Sequence, residues 1–125
     1  GDHSAAFTAR GRVYTWGWAA QGQLGRPADK AAPRSVPGLV QALSGAKVTA
    51  LACGMCHTLA CTEAGEVYSW GCGVNGELGH GDLLNRHSPE IVEALVTYHV
   101  TSISAGDYHS LALCGREGFV FSWGQ

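Results

Sequence analysis

Charged side chains are scarce in this sequence. Asp, Glu, Lys and Arg make up 14% of the 125 residues, and ten acidic against eight basic side chains leave a net charge of −2. A chain without excess positive charge has no general attraction for phosphates or anionic lipid, so we expect no nucleic-acid partner. Long hydrophobic runs are also missing, which predicts no insertion into a membrane. A hydrophobic content of 46% nevertheless excludes a disordered chain.

Methionine and cysteine usage narrow the possibilities further. The only Met is Met55, and no signal-peptide pattern opens the chain, so we expect a piece of a longer protein or a processed product. The five cysteines are an odd number and do not recur at one position of the repeat described below. This usage predicts an intracellular protein, cytoplasmic or nuclear, in a reducing compartment rather than a disulfide framework.

Glycine, by contrast, is abundant, and the sequence repeats itself. The 18 glycines are roughly double the usual share, which indicates many tight turns. The segment HSAAFTARGRVYTWG at 3–17 returns as HTLACTEAGEVYSWG at 57–71, and a third copy runs from His109 to Gly124 with one extra residue. The loop sequence QGQLG at 21–25 likewise returns as NGELG at 75–79. We therefore divide the chain into repeats 1–53 and 54–105 and a partial repeat 106–125.

The residue pattern of each repeat predicts four short extended segments. The β-rich segments 57–62 and 66–70 are separated by Ala64-Gly65, as in a hairpin, and a Pro-led segment and Gly-rich turns complete the unit. Residues 36–43 also fit helical spacing, but Pro37 and Gly38 make a helix the weaker interpretation. Four strands in roughly fifty residues are typical of a propeller blade, with a solenoid as the alternative. The prediction is an all-β fold of four-stranded antiparallel blades.

These motifs together resemble the regulator of chromosome condensation repeat family. Its pattern is similar to Gly-x-x-His-Ser-x-Ala-Leu, then Gly-x-Val-Tyr-x-Trp-Gly, then Gly-Gln-Leu-Gly, and the match covers nearly the whole chain. The resemblance implies a seven-bladed β-propeller, of which about two and a half repeats are present here. An incomplete ring exposes strand edges and apolar faces, so we expect the remaining blades, or other chains, to cover them.

The recurring aromatic and histidine side chains have structural explanations. Pairs such as Tyr68 and Trp70 point to one face of a strand and are expected to pack between blades rather than to bind a ligand. His3, His57 and His109 each precede Ser or Thr, but no nucleophile with an orienting acid accompanies them. We therefore predict that the chain is not an enzyme.

One group of residues has the spacing of a zinc site. Cys53, Cys56, His57 and Cys61 offer four nitrogen or sulfur ligands, as tetrahedral zinc requires. The third copy has Ala, Tyr and Leu where the second has the three cysteines. We therefore interpret the cysteines as small core residues and predict no metal and no cofactor, with zinc as the alternative.

The favoured function is a protein-interaction platform within a larger regulatory or scaffold protein. The resemblance implies a second hypothesis, guanine-nucleotide exchange on a small GTPase, but the sequence shows no projecting wedge for it. Chromatin binding is disfavoured by the charge. Ultraviolet sensing, known in the family, is disfavoured because no Trp lies between the Gly and His of the first motif.

The partner is expected on the long loops, where the repeats differ most. Blade-forming residues recur in both copies, whereas these mixed polar and charged positions do not. The candidate contact residues are Arg26, Asp29, Lys30, Arg34, His80, Asp82, Asn85, Arg86 and His87.

Overall fold

The fold consists of three antiparallel sheets arranged in chain order. A computed structural model describes residues 2–30 and 33–125. The strands are β1 (His3–Phe7), β2 (Val13–Gly17), β3 (Gly38–Leu39), β4 (Val48–Cys53), β5 (His57–Thr62), β6 (Val67–Gly71), β7 (Arg86–Ile91), β8 (Ser102–Ala105), β9 (His109–Cys114) and β10 (Phe119–Gly124). They form the sheets β1-β2-β3, β4-β5-β6-β7 and β8-β9-β10. The prediction of an all-β fold with antiparallel blades is confirmed.

The sheets are offset from the sequence repeats. The second sheet begins at Val48 and ends at Ile91, so the repeat boundary at Cys53 falls between its first two strands. Strand β4 pairs with β5 through a bulge near its start. A blade therefore takes its first strand from the end of one sequence repeat and the other three from the next.

Residues 36–43, for which a helix was the weaker interpretation, contain one single helical turn, and a second such turn follows β7. Gln41–Leu43 and Glu93–Leu95 are 3-10 turns, each preceded by an extended residue and each burying one leucine. Within residues 2–30 and 33–125, no helix is long and apolar enough to span a membrane. The turns lead the chain from the outer strand of one sheet toward the first strand of the next.

Two apolar clusters join neighbouring sheets. The cluster between the first and second sheets consists of Val13, Val40, Leu43, Val48, Ala60 and Trp70. The cluster between the second and third sheets consists of Cys61, Val67, Val92, Leu95, Val100, Ala112 and Cys114. Both combine strand side chains with the leucine of a 3-10 turn and with valines close to the strand ends, so packing between sheets is the core of this protein.

A polar junction accompanies each apolar cluster. The backbone carbonyl of Gln23 accepts hydrogen bonds from the Thr58 hydroxyl and the Trp70 indole N–H, both at 2.9 Å. The carbonyl of Glu77 accepts the same pair from the next sheet, from Ser110 at 2.7 Å and Trp123 at 2.8 Å. We call each arrangement a carbonyl junction. One loop carbonyl thus holds two side chains of the following blade.

The recurring histidines complete these junctions. His3 Nε2 lies 2.9 Å from Thr58 Oγ1, and His57 Nε2 lies 3.0 Å from Ser110 Oγ. Because each hydroxyl already donates its proton to a carbonyl, the histidine Nε2–H must be the donor. Each of these bonds therefore joins two neighbouring blades.

A glycine lies against each junction because nothing larger fits there. A Cβ on Gly25 would lie 2.7 Å from Trp70 Nε1, and one on Gly79 would lie 2.9 Å from Trp123 Nε1. Both glycines also have positive φ, which L side chains rarely adopt. The Leu-Gly pair of the repeat is therefore explained by the approach of the neighbouring tryptophan.

We predict that the isolated chain self-associates. Among the described residues β1 and β10 each pair on one side only, and Phe119 and Val120 on β10 are exposed. Unpaired strand edges beside apolar side chains favour pairing with another chain. Light scattering should show oligomers, and a stable monomer at tens of micromolar that binds no hydrophobic dye would contradict this.

We predict that Trp70→Ala lowers the free energy of unfolding by about 3 to 5 kcal/mol. Trp70 is fully buried and donates to a carbonyl junction, so truncation leaves a cavity and removes one of the two hydrogen bonds that Gln23 O accepts. Trp18→Ala is the matched control, because Trp18 is 45% exposed and should cost about 1 kcal/mol or less. Urea unfolding measures both, and equal losses would contradict the assignment.

We predict that His57 makes the fold acid-sensitive. Burial lowers the pKa of His57, while nearby Glu77 and the backbone carbonyl of His109 oppose the shift. The unfolded chain therefore binds a proton more readily, and stability should fall as the pH drops below about 6.5, by at most about 1.4 kcal/mol per pH unit. His57→Gln should flatten this dependence in urea unfolding, whereas exposed His87→Gln should not; identical profiles for all three proteins would contradict the prediction.

Candidate functional site

The long loops and the short turns between first and second strands lie at the same end of the sheets. The turn 54–56 contacts the turn 106–108: Met55 N–H donates to Asp107 O at 3.2 Å, and the Tyr108 hydroxyl lies 3.3 Å from the Met55 sulfur. A Cβ on Gly22, in the first long loop (described at 18–30 and 33–37), would lie 2.8 Å from the Cα of His87, which follows the loop 72–85. We call the surface formed by these two loops and two turns the loop face.

Arg26 holds the first loop together from within. Its guanidinium donates to the carbonyls of Thr15 at 3.0 and 3.2 Å, Val36 at 2.9 Å and Pro33 at 3.3 Å. Burial lowers the pKa of Arg26, and the charge of Asp29 opposes that shift. These bonds join the end of β2 to the return of the chain toward β3. Arg26 is therefore a loop-forming residue in this structure.

The other candidates of the first loop lie at the surface. Arg26 and Asp29 line a cleft of about 500 Å³, together with Ser88 of the second sheet. Lys30 and Arg34 are exposed, and the Arg34 guanidinium lies 5.5 Å from the centre of the Trp18 ring. This distance suits a cation–π contact, which fixes both side chains next to each other on the loop face.

An ion-pair network organises the second loop. Arg86 donates to both carboxylate oxygens of Asp82, at 2.8 and 3.2 Å, and also pairs with Glu90. The hydrogen bond from Arg86 is the main reason that the pKa of Asp82 is lowered, and the same bond raises the pKa of Arg86. Asp82 also accepts the Leu84 N–H at 3.0 Å. Asp82 and Arg86 thus set the shape of the loop tip.

Two further candidates brace the same loop, and one stays at its surface. His80 Nε2 donates to Ser69 Oγ at 2.9 Å, because the Ser69 hydroxyl donates to Leu78 O. The Asn85 side-chain oxygen accepts the Gly73 N–H at 2.9 Å. His87 is exposed. The structure therefore brings His80, Asp82, Asn85 and Arg86 into contacts within one loop, and whether any of them touches a partner stays a prediction.

Sequence reasoning missed the apolar residues of the loop face. Its exposed large hydrophobic side chains are Trp18, Val36, Met55, Val74, Leu83, Leu84 and Tyr108. Leu83 and Leu84 are 63% and 64% exposed and adjoin the Asp82 turn. A signal was present in the sequence, since an apolar pair in a polar loop outside the repeated motif has no role in the blade.

The residues proposed as an alternative zinc site are used in other ways. Cys61 is buried, and its thiol donates to Val100 O at 3.2 Å, while Cys53 is exposed. His57 donates to Ser110. Over residues 2–30 and 33–125, no group of three or more His, Cys, Asp or Glu side chains is placed to hold a metal ion.

Comparison with known proteins identifies the repeat and its relatives. Models described as the regulator of chromosome condensation (RCC1) repeat match residues 10–61 and 64–113, and a second such model matches 48–77. The human E3 ubiquitin-protein ligase HERC2 is 39% identical over the full chain, which spans 3% of its length. The Arabidopsis thaliana ultraviolet-B receptor UVR8 is 38% identical over 98% of the chain, which spans 27% of its length.

Solved structures share the fold over nearly all of the chain. Human WBSCR16 superposes with a TM-score of 0.86 at 30% identity, covering 98% of this chain and 31% of that one. Prp20p of Saccharomyces cerevisiae superposes with a TM-score of 0.82 at 25% identity, with the same coverage. The repeat matches span most of the sequence, and the chain belongs to the regulator of chromosome condensation (RCC1) repeat family.

Proposed function

We propose that the loop face docks a protein partner and that the chain is part of an interaction platform. The observation that carries this proposal is the set of exposed apolar side chains on two loops whose shape is held by the contacts of Arg26 and Arg86. Apolar side chains at such sites have no role in the blade itself. Their burial by a partner would release water from Trp, Tyr, Met and Leu side chains, the types that often anchor interfaces.

The internal bonds of the loops favour binding. Arg26 fixes the first loop through the carbonyls of Thr15, Pro33 and Val36, and Arg86 fixes the second through Asp82 and Glu90. A loop that is already ordered loses less conformational entropy when a partner binds. We therefore propose Leu83 and Leu84 as anchors.

The exposed polar candidates complete this surface as its rim. Asp29, Lys30, Arg34 and His87 lie at the surface of the two loops. Polar side chains around an apolar centre usually contribute more to specificity and to the rate of association than to affinity. We propose this rim role for the four residues.

Relatives support a protein as the ligand. Prp20p is described with binding properties toward Gsp1p and histones, and yeast RCC1 (Prp20) has been solved bound to Kap60. The chain covers 31% of Prp20p. The ligase and receptor relatives are likewise far longer than this chain.

Nucleotide exchange on a small GTPase is the second candidate, favoured by the likeness to Prp20p. Against exchange, the sequence of the second loop has no insertion long enough for a projecting wedge, and the Asp82–Arg86 pair closes the tip of this loop. A nucleotide-release assay on a panel of small GTPases separates the candidates. Acceleration by this chain would favour exchange, and binding without acceleration would favour a platform.

We predict that Leu83→Ser combined with Leu84→Ser weakens partner binding at least tenfold while the melting temperature stays nearly unchanged. Both side chains are more than half exposed, so their replacement removes little core, and loss of two apolar anchors is worth well over 1.4 kcal/mol at a typical interface. The measurement is capture of partners by the immobilised chain, followed by titration of each purified partner.

Val96→Ser is the matched control for that variant. Val96 is 48% exposed and follows the 3-10 turn Glu93–Leu95 on the way to β8, away from the loop face. It should bind like the parent chain. Unaltered affinity of the double-leucine variant, or an equal loss in Val96→Ser, would place the docking surface elsewhere.

A further inference from the structure

Two cysteines face each other across the outer end of the β5–β6 ladder. The last pair in that ladder is His57 opposite Gly71, so Cys56 and Cys72 occupy the next pair of positions. The backbone continues the ladder there, because Cys72 N–H donates to Cys56 O at 2.9 Å. Both residues are half-buried on the loop face, where a small solute can reach them.

The backbone contact recurs in the other sheets, but the thiols do not. Trp18 N–H donates to Asp2 O at 2.7 Å, and Gln125 N–H donates to Tyr108 O at 2.9 Å. These are the same positions in the first and third sheets. The same juxtaposition is thus present in each of the three described sheets, and among these three the second sheet alone carries a cysteine on both sides.

The geometry of this position suits a disulfide. Cα atoms of residues directly opposite each other in an antiparallel ladder are about 4.5 to 5.5 Å apart, which lies within the range of about 4.4 to 6.8 Å found for disulfides. Such a bond could form while the adjacent residues His57 and Gly71 stay paired in the ladder. The other cysteines are placed differently: Cys53 lies opposite Thr58, while Cys61 and Cys114 are buried in the core between the second and third sheets.

We propose that Cys56 and Cys72 are a site of reversible covalent modification, a dithiol that closes to a disulfide by exchange with a low-molecular-weight disulfide such as oxidised glutathione. One thiolate attacks the glutathione disulfide, releases one glutathione thiolate and forms a mixed disulfide. The second protein thiolate then attacks the protein sulfur and releases the second glutathione. The two protein thiols lose two electrons and two protons, and glutathione disulfide is reduced to two thiols.

Closure should be slow near neutral pH and faster in mild base. Burial raises the pKa of the Cys72 thiol; a backbone hydrogen bond at Val74 opposes this, and Glu77 and Cys56 add to it. Fewer thiolates are then present at neutral pH, and the thiolate is the attacking form. In a strongly reducing compartment the pair stays a dithiol, so closure would report a shift toward oxidation.

The disulfide would fix the start of the second loop. Cys72 precedes Gly73, whose N–H is bonded to Asn85 at the far end of that loop, and Cys56 follows Met55 on the neighbouring turn. Closing the bond would tie this turn to the loop that carries Leu83 and Leu84. Any effect on partner affinity rests on the proposed docking function, whereas formation of the bond does not.

The test equilibrates the folded chain in glutathione redox buffers, blocks the remaining thiols and digests it with trypsin and a Glu-specific protease. No Lys or Arg lies between Lys47 and Arg86, but Glu63, Glu66 and Glu77 allow cleavage into 48–63 and 67–77. Cys72 is then alone on the second peptide. After digestion, the expected product is the peptide 48–63 joined to the peptide 67–77 by a disulfide. Before blocking and digestion, the mass of the intact oxidised chain should be lower than that of the reduced chain by two hydrogen atoms.

The peptide 48–63 contains three cysteines, so single substitutions identify which of them forms the bond with Cys72. Cys53→Ser should keep the joined peptides at the parent level, and Cys56→Ser should lose them while its melting temperature stays close to that of the parent. Joined peptides that persist in Cys56→Ser, a disulfide within 48–63, or separate glutathione adducts on Cys56 and Cys72 at oxidising equilibrium would each overturn the proposal. Partner titration with the reduced and oxidised chain is a separate measurement, so its failure would count against the docking function alone.

Discussion

Two backbone carbonyls, those of Gln23 and Glu77, connect the blades of this protein. Each lies in a tight Gly-rich loop and accepts one hydroxyl and one indole N–H from the next sheet. At the first junction both donors, Thr58 and Trp70, are fully buried, so an unmatched partner there would carry the full cost of desolvation. The constraint therefore fixes the loop, the tryptophan and the Ser or Thr together. It also requires glycine beside the indole, since a Cβ on Gly25 would meet the Trp70 ring.

The same constraint positions the loop face. Because the acceptor carbonyls lie at the start of the long loops, each loop leaves its blade from a fixed point, held further by Thr15 on Leu24 O and Ser69 on Leu78 O. Beyond that point the two loops are closed by different side chains. Arg26 closes the first through carbonyls, and Arg86 closes the second through carboxylates. The same backbone geometry, repeated in two blades, thus carries two neighbouring loops with chemically different surfaces.

The sequence predicts the structural features that its repeats share, but it does not predict the features that differ between repeats. The all-β fold, the hairpin at Ala64-Gly65 and the burial of Trp70 follow from a pattern that three copies repeat. The offset between repeat and sheet was not visible, because β4 pairs forward with β5 although it lies at the end of the first repeat. The roles of Arg26 and His80 were missed for a similar reason: they are equivalent positions with unlike side chains, and each satisfies its own loop in its own way.

The residue whose carbonyl accepts the junction bonds differs between the two junctions: it is Gln23 in one and Glu77 in the other. Gln23 and Glu77 are equally buried, and in each the side-chain oxygen accepts the N–H of the residue two positions earlier, at 2.9 Å from Gln21 and 2.8 Å from Asn75. An acceptor oxygen is all that this turn requires, so an amide and a carboxylate are both accommodated. Only the carboxylate adds a charge beside His57, where it opposes the lowering of the histidine pKa by burial. Two repeats with one backbone geometry therefore differ in electrostatics, and the difference lies at the junction between the second and third blades, beneath the loop face.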